Sequence, residues 1–195
     1  MSPGGHLLTT SAACAGVYAG TGSLALTAGL AVGGFLIDID HVVDYVLFER
    51  QRDLRPSAFL KYYLEGRVRR VVLPLHSYEL LALLTMLAWT CHREWLWGYV
   101  LGMALHLPLD IIFNGRLVPG GLVHFYSFTW RAREGFLADR FADPSRLAPL
   151  EEGFWVSFFR GARLKSEGSS GQQAAGSVRP SLESWSARRP AETEI

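Results

Sequence analysis

Residues 95–113 read WLWGYVLGMALHLPLDIIF, and apart from Tyr99 only His106 and Asp110 in this run carry ionisable side chains. Nineteen residues make about five helical turns, and the i, i+4 spacing puts the histidine and the aspartate on one face. An ionisable group in so apolar a segment is costly unless it is paired, metal-bound or facing a wet cavity. The stretch therefore sets two expectations: a helix surrounded by protein or lipid, and a polar site built upon it.

Working outward, a second apolar run, VVLPLHSYELLALLTMLAWTC (71–91), is separated from the first by the polar turn His92-Arg93-Glu94. Nearer the N-terminus, Leu7 to Ile37 holds no ionisable side chain other than cysteine and tyrosine. That block exceeds one membrane span of ~20 residues, and Gly20-Thr21-Gly22 divides it. The runs predict four helices, at about Leu7–Tyr18, Ser23–Phe48, Pro74–Cys91 and Glu94–Phe113. Short links make each consecutive pair an antiparallel hairpin. The expected fold class is all-α, an antiparallel up-down bundle over residues 1–115. Residues 116–165 form an aromatic and basic extension, expected to pack on the bundle or lie on a membrane as amphipathic segments. Residues 166–195, rich in Ser, Gly, Gln, Arg and Pro, are expected to be a disordered tail.

The chain of 195 residues is 49% hydrophobic and 19% charged with a net charge of +1. This excludes a wholly disordered chain and gives no basic field to attract nucleic acid. Cys14 and Cys91 lack disulfide-framework or zinc-finger spacing and are expected to be small core residues. No basic region precedes the first apolar block, so it does not read as a cleaved signal. Basic residues concentrate in 49–70, with seven Lys/Arg against three acids, and again after the fourth helix, whereas the tight turns hold only Arg93. By the positive-inside rule this predicts a multi-pass protein of the inner (cytoplasmic) membrane with both termini cytoplasmic. Trp89, Trp95, Trp97 and Tyr99 would form an interfacial belt. The individual apolar runs of ~12–16 residues also suit a buried soluble bundle.

The candidate site residues are His6; Asp38, Asp40, His41 and Asp44 in LIDIDHVVDY; His76 and Glu79; and His106 with Asp110. On a helical wheel begun at Asp38, Asp40, Asp44, His41 and Asp38 fall at about 200°, 240°, 300° and 360°. His76 and Glu79, three apart, would share a face. In an up-down bundle the starts of odd helices and the ends of even ones lie at the same end, so all four groups converge. One buried histidine is usually packing or capping. Four polar clusters at one bundle end are not, because unpaired carboxylates there destabilise. The set suits zinc first, manganese or iron next, and more than one ion. His92 reads as solvated, His124 as equivocal, and Met86 and Met103 as packing residues.

These residues resemble the YdjM-like family of membrane-bound metal-dependent hydrolases, whose ligand pattern is similar to zinc-dependent phospholipase C. The resemblance covers about residues 4–114. It rests on Gly5-His6-Leu7-Leu8, on Ile37-Asp38-Ile39-Asp40-His41 for the family's P-D-I-D-H, on Leu75-His76-Ser77 for its T-H-S, and on Gly102, His106 and Asp110 for its G-x-x-x-H-x-x-x-D. Ile37 stands where the family has proline, and Val71 where it has the first histidine of H-R-G-x-T-H-S.

The resemblance implies metal-dependent hydrolysis at a membrane, with a phosphoester as the expected substrate, and the site's place at the membrane–water boundary suggests a lipid or lipid-linked one. The expected ligands are His6, Asp38, Asp40, His41, His76, His106 and Asp110. Glu79 or Asp44 would accept a proton, and Arg69, Arg70, Arg131 or Arg133 would hold phosphate or anchor to anionic lipid. The alternative is a non-enzymatic membrane protein with a structural metal cluster. Transport is disfavoured because it would place ligands near a midplane. No protease helix H-E-x-x-H, Walker A loop or nucleophile elbow occurs.

Overall fold

Serines start three of the four main helices. In the computed structural model, which describes residues 1–115, 122–150 and 153–165, α1 (Pro3–Thr21) begins where Ser2 accepts the Gly5 N–H. It stops at Gly22, whose φ of 66° is left-handed. Ser23 caps α2 (Leu24–Gly34) through the Leu26 N–H, and Ser77 caps α5 (Tyr78–Cys91) through the Leu80 N–H. His92, at φ 50°, turns the chain from α5 into α6 (Glu94–Asn114). These are the four expected helices, with changed bounds at two places that matter.

The first change is in the second helix, expected to be continuous from Ser23 to Phe48. It ends at Gly34, and the chain bends by 44° into a 3₁₀ turn (Leu36–Asp38), the short α3 (Ile39–Val43) and a π turn (Asp44–Phe48). Gly33-Gly34 offers little helix propensity at the break, about 1 kcal/mol per glycine below alanine. The second change is that α5 starts at Tyr78 and not at Pro74, because Ser77 supplies the cap. His76 therefore sits in the loop ahead of the helix and shares no helix face with Glu79.

The bundle is also not a simple alternation of neighbours. α2 and α6 run parallel and touch backbone to backbone, Gly29 beside Trp95, Gly33 beside Tyr99, Gly98 beside Leu26 and Gly102 beside Leu30. A Cβ at any of these four glycines would lie within 2.4 Å of a carbonyl oxygen of the other helix. Two glycine pairs at i, i+4 thus bring the two axes together, the arrangement by which membrane helices pack closely. α1 lies antiparallel on α2, with Thr10 against Gly34 and Cys14 against Thr27. α5 covers α6 through Ala88, Leu96 and Val100.

After the π turn come α4 (Pro56–Leu64), α7 (Leu122–Phe125), α8 (Phe128–Arg133) and α9 (Phe154–Arg160). Met1–Leu164 forms one compact unit. Among the described residues the regular structure is all helical, with only isolated bridges at Arg70–Leu137 and Leu147–Leu164. The main core joins Ile37, Met103, Leu107 and Tyr126, and a second cluster holds Val71, Leu73, Ala138 and Phe141. Met103 is buried as expected, but Met86 is exposed, and so is Cys91, which is not a core residue. The polar tail expected from 166 lies outside the described residues. By length and composition α6 is able to cross a membrane, and the bent run Leu24–Phe48 makes a second such segment if counted as one span.

Candidate metal centre

The parallel central pair puts the ends of α2 and α6 at the same end of the unit, where α1 begins and the 71–77 loop arrives. This brings together His6 from α1, Asp38, Asp40 and His41 from the bent continuation of α2, His76 from the loop, and His106 and Asp110 from α6. They form three overlapping groups, His6/His106/Asp110, Asp38/His76/His106 and Asp40/His41/His76, each offering three ligand atoms within 4.8 Å of one another.

The contacts are close. The His6 and His106 rings stack with centroids 3.8 Å apart, and His6 Nε2 lies 2.8 Å from Asp110 Oδ1. His76 Nε2 and His106 Nε2 face each other at 3.1 Å, with Asp38 Oδ1 at 3.2 and 3.5 Å from them. His76 Nδ1 is 3.0 Å from Asp40. His106 Nδ1 is 3.0 Å from the Gly34 carbonyl oxygen, which can only accept, so the proton sits on Nδ1 and Nε2 is left to bind an ion. Asp110 is oriented by the Tyr126 hydroxyl, which donates to Oδ2 at 3.0 Å, and by Asn114 Nδ2 at 3.1 Å from Oδ1.

The donor set fits a cation. Three carboxylates and four imidazoles meet in a pocket whose His6, Asp40, His76 and His106 are at most 2% exposed. Burial disfavours a charged His76 ring, but Asp40 and Asp38 on either side outweigh it and lift its pKa to about 10. The carboxylates thus demand positive charge at this point. Buried His6 Nδ1 and His41 Nδ1 have no hydrogen-bond partner among the described residues, an expensive condition for a ring nitrogen.

The two expected proton acceptors are not brought to this cluster's open face. Asp44 is fully buried, and its Oδ2 accepts the N–H groups of Val72 and Leu73 at 2.7 and 3.2 Å. Glu79 faces the other way and caps α8, accepting from Ser127 Oγ at 2.6 Å and from the Phe128 and Thr129 N–H groups at 2.9 and 3.1 Å. Burial opposes its charge, yet these bonds hold its carboxyl down at about 2 against an ordinary 4.5.

A folded-state value below the unfolded one gives stability that is present above pH 4.5 and lost as pH falls toward 2. Glu79→Ala is therefore expected to cost about 1 kcal/mol at neutral pH without changing metal content. Thermal melts of the variant and wild type should converge as the pH is lowered below 4.5, and a gap that stays constant down to the acid limit would refute the cap.

Of the four arginines, Arg69, Arg70 and Arg133 are exposed, and Arg133 lies over the Trp130 ring at 5.7 Å. Arg131 departs from the expectation of a phosphate-binding side chain: it is wholly buried and donates to main-chain carbonyls. His124 lies tilted against Trp130 with ring centroids 4.9 Å apart and belongs to none of the three ligand groups.

Sequence reasoning named Arg131 for phosphate or lipid and not for the loop it holds, and placed Tyr126 only in an aromatic and basic extension packing on the bundle or a membrane. It also missed Gly29, Gly33, Gly98 and Gly102, although their i, i+4 pairing was a readable signal. Comparison of the chain with protein-family models, curated proteins and solved structures finds no match in any of the three.

Proposed function

We propose that the protein is a membrane-held, metal-dependent hydrolase acting on phosphoester groups of lipid or lipid-linked substrates. The observation that carries this reading is the one-sidedness of the cluster. His6, Asp40, His76, His106 and Asp110 are buried, whereas the side chains of Asp38 and His41 keep 30% and 26% of their surface exposed. A purely structural site is closed, while a catalytic one keeps an approach for water and substrate. Bound divalent ions supply Lewis acidity and neutralise charge on the phosphoryl oxygens, with zinc our first assignment and manganese or iron next.

Donor arithmetic limits the number of ions. His106 has one nitrogen to give and belongs to two of the three groups, so three complete sites cannot form together. Two can, from His6/His106/Asp110 and Asp40/His41/His76, with Asp38 between them. Asp38, the carboxylate on the open edge, is our choice to take a proton from water, ahead of Glu79 and Asp44, whose oxygens bind backbone amides.

In this reading α6 and the bent α2–α3 run cross in the same direction, and the shorter apolar α5 returns the chain between them. Leu24, Val32, Leu101, Ile112 and Phe113 on α2 and α6 are exposed, as lipid-facing residues would be. The basic stretch 49–70 follows directly after the cluster, which puts the metal end at the cytoplasmic face.

Elemental analysis of the purified full chain, with a screen on phosphodiester and phospholipid substrates, tests this. The expected result is divalent metal bound, with hydrolysis that a chelator abolishes and added metal restores. A wild-type protein that holds no metal and takes up none on titration would sink it. The tight His6–His106 stack favours a second reading, a structural metal, for which bound metal without any turnover would speak.

A further inference from the structure

Arg131 heads the fully buried side chains of the described residues by size. Its Nη1 donates to the His76 carbonyl oxygen at 3.0 Å and to that of Phe125, and Nη2 donates to the Leu73 carbonyl oxygen at 2.8 Å. Every one of these bonds ends on the main chain. Taking a guanidinium out of water is expensive, so three carbonyl bonds alone are a poor reason to bury one. Burial does lower its pKa, and among the groups that work against this are the Asp40 and Asp44 carboxylates across the loop.

The loop between these charges carries His76. Leu73 is gripped from both sides, its N–H by Asp44 Oδ2 at 3.2 Å and its carbonyl by Arg131. Its φ of 40° is left-handed, a conformation that a residue with a Cβ rarely adopts, and it is 1% exposed immediately before Pro74. The Leu73 carbonyl also accepts the His76 N–H at 3.1 Å, closing a tight turn. One guanidinium therefore holds the carbonyls at both ends of the turn 73–76. Held so, His76 presents Nδ1 to Asp40 and Nε2 to Asp38 and His106.

We propose that Arg131 is a positioning residue for the metal centre: it and Asp44 clamp the strained Leu73–His76 turn from opposite sides and so aim both nitrogens of His76 into the ligand cluster. This rests on the metal reading above. It predicts that metal affinity, and not only stability, depends on a side chain that touches no ligand atom.

The test uses the full chain in detergent with zinc and cobalt(II) as probes. Arg131→Lys keeps the charge but cannot reach both carbonyls. Arg131→Ala leaves a cavity that guanidinium ion can fill. Leu96→Ala, in the core at the far end of the bundle, controls for general instability. The expected outcome is zinc affinity about 10- to 100-fold weaker in Arg131→Lys, with an altered cobalt absorption spectrum. Added guanidinium should return both properties to Arg131→Ala, while Leu96→Ala shows neither change.

If folded Arg131→Lys binds both ions as wild type does, the clamp is refuted. It is equally refuted if Leu96→Ala weakens binding to the same degree. Should Arg131→Ala not fold, the lysine variant decides alone. Failure of the wild type itself to bind either ion is a different result, which overturns the metal reading and the clamp with it.

Discussion

Replacing Gly33 by alanine is expected to prevent the helices from assembling, seen as loss of a cooperative melt and aggregation on extraction. The added Cβ would sit 2.1 Å from the Tyr99 carbonyl oxygen and 2.9 Å from its carbonyl carbon. Both are backbone atoms that cannot rotate away. The helices would have to part by more than an ångström, and the three other glycine contacts would separate with them. Ordinary overpacking costs about 1–3 kcal/mol. Losing a whole backbone-to-backbone seam costs more, against a total stability of about 5–15 kcal/mol. Gly16→Ala makes the contrast. It is also in a long helix, but its Cβ meets nothing within 4 Å, so the change is expected to be neutral or stabilising by about 0.5–1 kcal/mol. Equal melts for the two variants would show that the seam is not what holds α2 to α6.

The second large effect is expected at His106. It belongs to two of the three ligand groups, whereas His6 and His41 each belong to one. His106→Ala should therefore empty the His6/His106/Asp110 site and spare the ion at Asp40/His41/His76, and His41→Ala should do the reverse. The substitution also removes the His106 partner of the Gly34 carbonyl and of the stacked His6 ring in a buried setting. The combined loss of a buried hydrogen bond and creation of a cavity is worth about 3 kcal/mol. Metal content by elemental analysis, set against melting temperature, separates the two losses. Full metal retention in His106→Ala would contradict the site as built here.

The apolar runs and the recurrence of histidine beside aspartate were legible in the chain. So was their convergence, since it needs only helix order and the place of each polar group along its helix. What could not be read is local. A wheel at 100° per residue assumes one uninterrupted helix through Asp38–Asp44, and the 3₁₀ turn before Asp40 and the π turn from Asp44 both violate it. That is why Asp44 meets the 71–73 backbone and does not line the cluster. Glu79 looked like a partner of His76 because both were placed on one helix, until the Ser77 cap put them on different elements. Tyr126 and Arg131 reach the site only through the return of α7 and α8, a long-range contact that no periodicity encodes. What the convergence produced is three aspartates gathered within reach of four histidines.

The break after Gly34 has a further consequence. Where a helix stops, its last carbonyls lose their partners, and here one of them accepts from His106 Nδ1. The tautomer of a central histidine is thereby chosen by a main-chain atom. A side-chain acceptor in that role would be erased by a single codon change, but a carbonyl is carried by whichever residue occupies the position. Mutational drift can reach this proton only indirectly, by shifting the backbone that presents the oxygen.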